Sequence, residues 1–298
     1  MKKIQHLRVG ALCILSALFV SCDMVVSKVE GRLAESREVL ANQSAPNGIE
    51  RHNSKSQTEN LESNVGDGID GVEIPARLTG VAEQILVRSG YTVSYNKDRR
   101  LPNWVAWHLT PARLKGNAKR GNHSFSEDMD VPQPRAVDFD YVRSGYDRGH
   151  MCPAGDNKWD EKAMEESFFL TNVCPQAPSL NRGDWNEMEQ ACRKWAKQYG
   201  DIYIVCGPIF YKKRQKTIGN NKVAVPDAFF KVVLCMGGTP KAIGFIYKNG
   251  DGNRPKGDYA NSVDEVERIT GIDFFPSLPD KIENRVEAQC NLSDWDIE

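Results

Sequence analysis

Histidine is scarce in this chain, with five among 298 residues, so any chemistry that runs on an imidazole has few candidates. An excess of positive charge is also missing. Lys and Arg total 39 against 40 Asp and Glu, a formal net charge of -1 with a pI near 6.5. That balance argues against a polycation that coats nucleic acid indiscriminately, so an anionic partner needs a local basic patch. Lys115, Lys119 and Arg120 form one candidate and Lys212, Lys213, Arg214 and Lys216 another, although a solvated loop explains either run on charge alone. No Cys-x-x-Cys pair occurs, which disfavours a structural zinc site, and no internal repeat or phosphate-cradling glycine loop is present. What is present suffices for a core: 40% of residues are hydrophobic and 27% charged, which excludes wholesale disorder.

A long apolar run is absent too. "VGALCILSALFV" follows Lys2, Lys3 and Arg8 and ends at Ser21-Cys22, short of the roughly 20 residues that span a bilayer. A basic start, a short apolar run and a small residue are the grammar of a secretory signal. Cys22 behind "LFVS" resembles a bacterial lipobox, with Phe19 where leucine is usual. This predicts a signal over 1–22, lipidation of Cys22, export from a bacterial cell, and a membrane anchor that does not span, the alternative being a plain cleaved signal and a secreted protein. Residues 23–73 are polar and rich in turn formers, and read as a flexible tether. A single domain is expected over 74–298. Outside the cytoplasm, Cys152, Cys174, Cys192, Cys206, Cys235 and Cys290 could close three disulfides, in any of 15 pairings.

Strand-like runs rich in β-branched and aromatic residues recur at 91–96, 104–110, 201–210, 228–235 and 241–248. Helices are predicted over 160–168, over 263–269, and after Leu180, where Trp185, Met188, Cys192, Trp195 and Tyr199 recur at steps of three and four. Runs of strands with irregularly interspersed helices predict an α+β fold with a mainly antiparallel sheet.

Two segments carry candidate chemistry. In "YVRSGYDRGHMCPAGDN", Gly149 lets the backbone pass tightly before His150, and Pro153 stops any ladder soon after. In "FFLTNVCPQAPSLNRGDWNEMEQACRKW", Asn181 stands at the expected start of the long helix, where it could simply cap free N–H groups. Glu189 and Arg193 are spaced for an i, i+4 ion pair. Phosphodiester hydrolysis requires an activated water, relief of charge at the phosphate and stabilisation of the leaving oxygen. A neutral imidazole supplies a proton acceptor near pH 7. A carboxamide ligand leaves the charge of a hard cation uncancelled. Thiolates select soft metals, so Cys152 and Cys174 read as buried thiols or a disulfide rather than ligands.

Asp147-Arg148-Gly149-His150, then Thr-Asn-Val-Cys-Pro-Gln at 171–176, then Leu-Asn-Arg-Gly-Asp-Trp at 180–185, resembles the DNA/RNA non-specific endonuclease family, over about Pro102 to Lys248. The resemblance implies a ββα-metal finger inside the α+β fold, with His150 as general base and Asn181 as direct ligand of Mg²⁺, for which Mn²⁺ could substitute. It implies active-site positions for Asn172, Glu189 and Arg193, with Glu189 reaching the ion through water, and a phosphate-directed role for Arg148. An upstream arginine is also implied; Arg120 is the nearest candidate, with His123 close by. Lys119, Arg120 and Arg182 are expected to meet the phosphate backbone of DNA and RNA, leaving 5′-phosphate and 3′-hydroxyl ends. A homodimer is implied by analogy. The competing readings are a catalytically silent binding lipoprotein on the same fold, and a phosphodiesterase for small substrates.

Overall fold

The computed structural model describes residues 71–250 and 252–297. The expected signal over 1–22, its lipidated Cys22 and the tether as far as residue 70 lie outside these residues. The secondary structure comprises strands β1 (Gln84–Val87), β2 (Thr92–Asn96), β3 (Leu101–Leu109) and β4 (Asp147–His150), and helix α1 (Glu161–Glu166). After these come β5 (Val173–Gln176), α2 (Pro178–Arg182), α3 (Asp184–Tyr199), β6 (Ile202–Ile209), β7 (Thr217–Ile218) and β8 (Val223–Ala224). The chain closes with β9 (Ala228–Cys235), β10 (Lys241–Lys248), β11 (Ala260–Asn261), α4 (Val263–Thr270) and α5 (Asp280–Glu287).

Seven strands form one sheet in the order β1-β2-β3-β6-β9-β10-β11, every pairing antiparallel. The α+β, mainly antiparallel expectation therefore holds. Side chains alternate across the sheet as the period of two demands. Val105, Trp107 and Leu109 of β3 enter one core, and Trp104 and Ala106 the other. Because helices cover both faces, β6 and β9 are buried along their whole length. That explains their almost unbroken apolar sequences.

On one face lies α3, whose Trp185, Met188, Cys192 and Trp195 are buried on the predicted stripe. The helix ends at Gly200, in a positive-φ conformation (φ 88°) that a residue with a Cβ adopts only at a cost. On the other face lie α4 and α5. Ser262 caps α4 by accepting from Glu265 N, and Gly271 closes it in the left-handed region. The α5 helix has no strong signal in the sequence and was not anticipated.

The expected disulfides do not form: the six cysteines among the described residues are free thiols, five of them buried. Cys152, Cys174, Cys192 and Cys206 fill one core as small apolar groups. Burial pushes the Cys192 and Cys206 thiols up to about 12, so they carry no thiolate for a metal.

Candidate active site

The strands β4 and β5 pair antiparallel as a separate hairpin, with Asp147 opposite Gln176 and His150 opposite Val173. Together with α3 they make the ββα unit. Gly149 is required here by close approach: a Cβ at that position would lie 2.6 Å from Cβ of the fully buried Gln176. His150 then ends the strand. Its backbone oxygen accepts a hydrogen bond from Trp185 Nε1 at 3.1 Å, which fixes α3 against the finger.

His150 is 6% exposed, and Nε2 is buried without a hydrogen-bond partner. Phe125 and Phe168 enclose the ring, with centroids 5.0 and 5.2 Å away. This burial, and secondarily the nearby Arg120, lowers its pKa to about 3. The imidazole is therefore neutral at pH 7. Between pH 6.5 and 3 the unfolded chain binds a proton that the native state refuses, so stability rises with pH across that window. The contribution is complete above about 6.5 and gone below about 3, and at about 1.36 kcal/mol per pH unit it is at most about 5 kcal/mol. Urea unfolding in EDTA at pH 4 and pH 7 should show wild type losing several kcal/mol more than His150→Gln; parallel losses would contradict a native imidazole held neutral.

One open cleft of about 710 Å³ is lined by His150, Arg148, Asn181, Glu189, Arg193, Arg120 and Arg182. Those seven anticipated residues, far apart in sequence, share this surface. Asp147, Lys158 and Asn186 line it as well. Asp147 holds Arg182 by two bonds of 2.8 Å and accepts from Asn181 Nδ2 at 3.0 Å. The amide end of Asn181 is thereby engaged, leaving its carbonyl oxygen for another partner. Arg148 is anchored to Asp138 and lies over the Tyr141 and Phe125 rings.

Three expectations need correction. Asn181 does not cap the long helix: it belongs to the short α2, and Gly183 breaks the chain between α2 and α3 with φ -103° and ψ -113°. A Cβ at Gly183 would lie 2.6 Å from Ser179 O, so the break needs glycine. Asn172 does not line the cleft. It is fully buried, accepting from Cys152 N at 2.9 Å and donating to Cys152 O and Ser167 O at 2.8 Å. It clamps the chain just after His150 and so acts by position. Lys119 is exposed but does not line the cleft, and His123 instead meets Glu161 at 3.0 Å.

The anticipated Glu189–Arg193 pair exists at 3.8 Å, yet Arg193 is held more closely by Asp156, at 2.9 Å. Asp156 was missed although it lies within the quoted His150 segment. It is 2% exposed and also accepts from Trp107 Nε1 at 3.1 Å. Lys231 was missed as well, though a lone lysine in the apolar run of β9 is a visible signal. It is fully buried, with Nζ 4.3 Å from the centroid of the Trp185 ring. Burial pushes Glu189 up to about 7, opposed by Lys231 and Arg193.

A sequence profile described as DNA/RNA non-specific endonuclease matches residues 72–281. The chain is 34% identical to mitochondrial endonuclease G of Bos taurus over 215 residues, covering 67% of this chain and 72% of that protein. It is 38% identical to the mitochondrial nuclease EXOG of Danio rerio over 210 residues, 64% of this chain and 60% of that one, so it spans less than two thirds of that relative. The crystal structure of the EndoG/EndoGI complex superposes with a TM-score of 0.64 at 30% identity, covering 67% of this chain and 88% of that chain. These relatives overturn the expected localisation: they are mitochondrial nucleases, not exported, lipid-anchored bacterial proteins.

Proposed function

We propose, from a chain that belongs to the DNA/RNA non-specific endonuclease family and is a nuclease, that its cleft hydrolyses the phosphodiester bonds of both DNA and RNA with Mg²⁺. The observation that carries this reading is the convergence of a neutral, desolvated imidazole and a free carboxamide oxygen on one cleft lined with arginines. Asn181, with Glu189 behind it, is the hard oxygen set suited to Mg²⁺, and no cysteine lines the cleft. The ion bound there would supply Lewis-acid relief of the charge that builds on the phosphate.

The side chains do the rest. His150 takes the proton of the attacking water. Burial makes the imidazolium costly in the free protein, and an anionic phosphate beside the ring offsets that cost, so the base strengthens when substrate arrives. Arg148, Arg120 and Arg182 hold the phosphates by charge, with Arg182 oriented by Asp147 and Arg148 by Asp138. Arg193 spans Asp156 and Glu189 and fixes both carboxylates beside the cleft. Attack at phosphorus breaks the bond to the 3′ oxygen, which takes a proton from solvent water in the open cleft, so the ends left are 5′-phosphate and 3′-hydroxyl. Contacts to phosphate rather than base edges carry no sequence information, so both sugars are accepted.

Purified protein should degrade plasmid DNA and single-stranded RNA at catalytic amounts with Mg²⁺. EDTA should stop it, and the rate under subsaturating substrate should fall steeply between 50 and 200 mM salt. Binding of nucleic acid without any cleavage would favour a silent binding protein instead.

A further inference from the structure

On the sheet face opposite the cleft, α4 and α5 close the second core through Val263, Val266 and Val286. Beside that contact, Asp264, Glu267 and Glu287 bring one carboxylate oxygen each within 4.8 Å of one another. Asp264 is exposed, Glu267 half-buried and Glu287 only 6% exposed. Oε1 of Glu287 is sealed from solvent and has no hydrogen-bond partner.

Ordinary helix chemistry accounts for part of this cluster. Asp264 sits in the first turn of α4, where the helix dipole favours an acid, and Glu267 accepts from Phe274 N at 2.7 Å. Glu287 has no such explanation. It is the last residue of α5, where the dipole disfavours negative charge, and its strongest electrostatic neighbours are the acids Glu267, Glu283, Asp264 and Asp273. A buried carboxylate in that setting needs a proton or a cation.

We infer that Asp264, Glu267 and Glu287 form a second cation site, structural rather than catalytic, suited to Ca²⁺. The donors are all oxygen, which selects a hard ion. Ca²⁺ takes its ligands at roughly 2.3–2.6 Å, so oxygens on opposite sides of the ion stand about 5 Å apart, in keeping with the spread of this cluster. Mg²⁺ binds at roughly 2.0–2.1 Å, demands a near-octahedral shell and keeps most of its waters, so three carboxylates of such unequal exposure suit it less. The ion would enter from the side of Asp264, where water completes its shell, and would tie the end of α5 to α4. Glu287 lies beyond residues 72–281, so the complete site is not part of the stretch that matches the family.

The test uses the full chain, stripped with EDTA and dialysed, with thermal unfolding followed at constant ionic strength. Ca²⁺ should raise Tm by roughly 5 °C at saturation and Mg²⁺ by clearly less. Asp264→Asn alters an exposed residue, should fold normally, and should abolish most of the Ca²⁺ shift while keeping wild-type nuclease activity in Mg²⁺. Glu287→Gln should melt higher than wild type in EDTA, because the buried acid is gone, and should no longer respond to Ca²⁺. An undiminished Ca²⁺ shift in Asp264→Asn would place the ion elsewhere and overturn the inference. So would a wild-type Tm unmoved at about 10 mM Ca²⁺, above the range of weak protein sites; the cluster would then be held by shared protons alone.

Discussion

Replacing His150 with alanine lowers turnover on plasmid DNA and on RNA by about 10²–10⁴-fold, the range that a positioned general base contributes. The fold should survive, because the ring makes no hydrogen bond that the finger depends on. The contact that fixes α3 is made by the His150 backbone oxygen, which alanine retains. Circular dichroism should therefore match wild type at pH 7, with Tm lowered only by the ring packing lost against Phe125 and Phe168. Burial makes the side chain a neutral proton acceptor throughout the physiological range, so its loss cannot be repaired by raising the pH. A His150→Ala protein that cuts both substrates at the wild-type rate would remove the imidazole from the mechanism.

The largest stability effect is expected at Arg193→Met. Asp156 is almost wholly buried, and its two side-chain partners are Arg193 and the Trp107 indole. Burial already pushes its pKa above the ordinary carboxylate value despite the guanidinium beside it. Without Arg193 the group must either stay charged and unpaired or take a proton at pH 7. The second route caps the cost below about 4 kcal/mol, at about 1.36 kcal/mol per pH unit, because part of the rise from the ordinary carboxylate value is already present in wild type. Urea unfolding should register a loss of about 2–3 kcal/mol for Arg193→Met, toward the lower end of what breaking a buried pair costs. Asp156→Asn combined with Arg193→Met should recover part of it, since the buried carboxylate left without its guanidinium is then gone, and recovery stays partial because the buried Lys231 loses Asp156 as a neighbour. Equal stabilities of the single and double variants would mean that the pair acts by packing rather than charge.

How far the sequence reached can be judged element by element. The strands β9 and β10 coincide with their anticipated spans because alternation and Gly, Pro or turn boundaries are local signals. The stripe on α3 was equally plain. The hairpin β4–β5 was harder, since each strand has four residues and its partner lies more than twenty positions away. Asn181 was placed in the right neighbourhood but on the wrong helix, because the break at Gly183 depends on how the backbone packs against Ser179. Asn172 looked like a reacting group, and only its burial shows that both ends of its carboxamide are occupied by backbone. The reading of location rested on a short N-terminal pattern, an address outside the physics of the folded domain, and the relatives contradict it.

The local order of residues was enough to determine the alternation of the strands, the stripe of α3, the glycine ahead of His150 and the set of groups able to run hydrolysis. Which of those groups share a surface was decided by tertiary structure. Seven anticipated side chains face one cleft, Asn172 is withdrawn beneath it, and Asp156 and Lys231 enter as buried charges whose partners no local pattern specifies. The reason is physical. Periodicity reports which face of an element is buried, whereas desolvation and charge pairing depend on what the rest of the chain brings against that face.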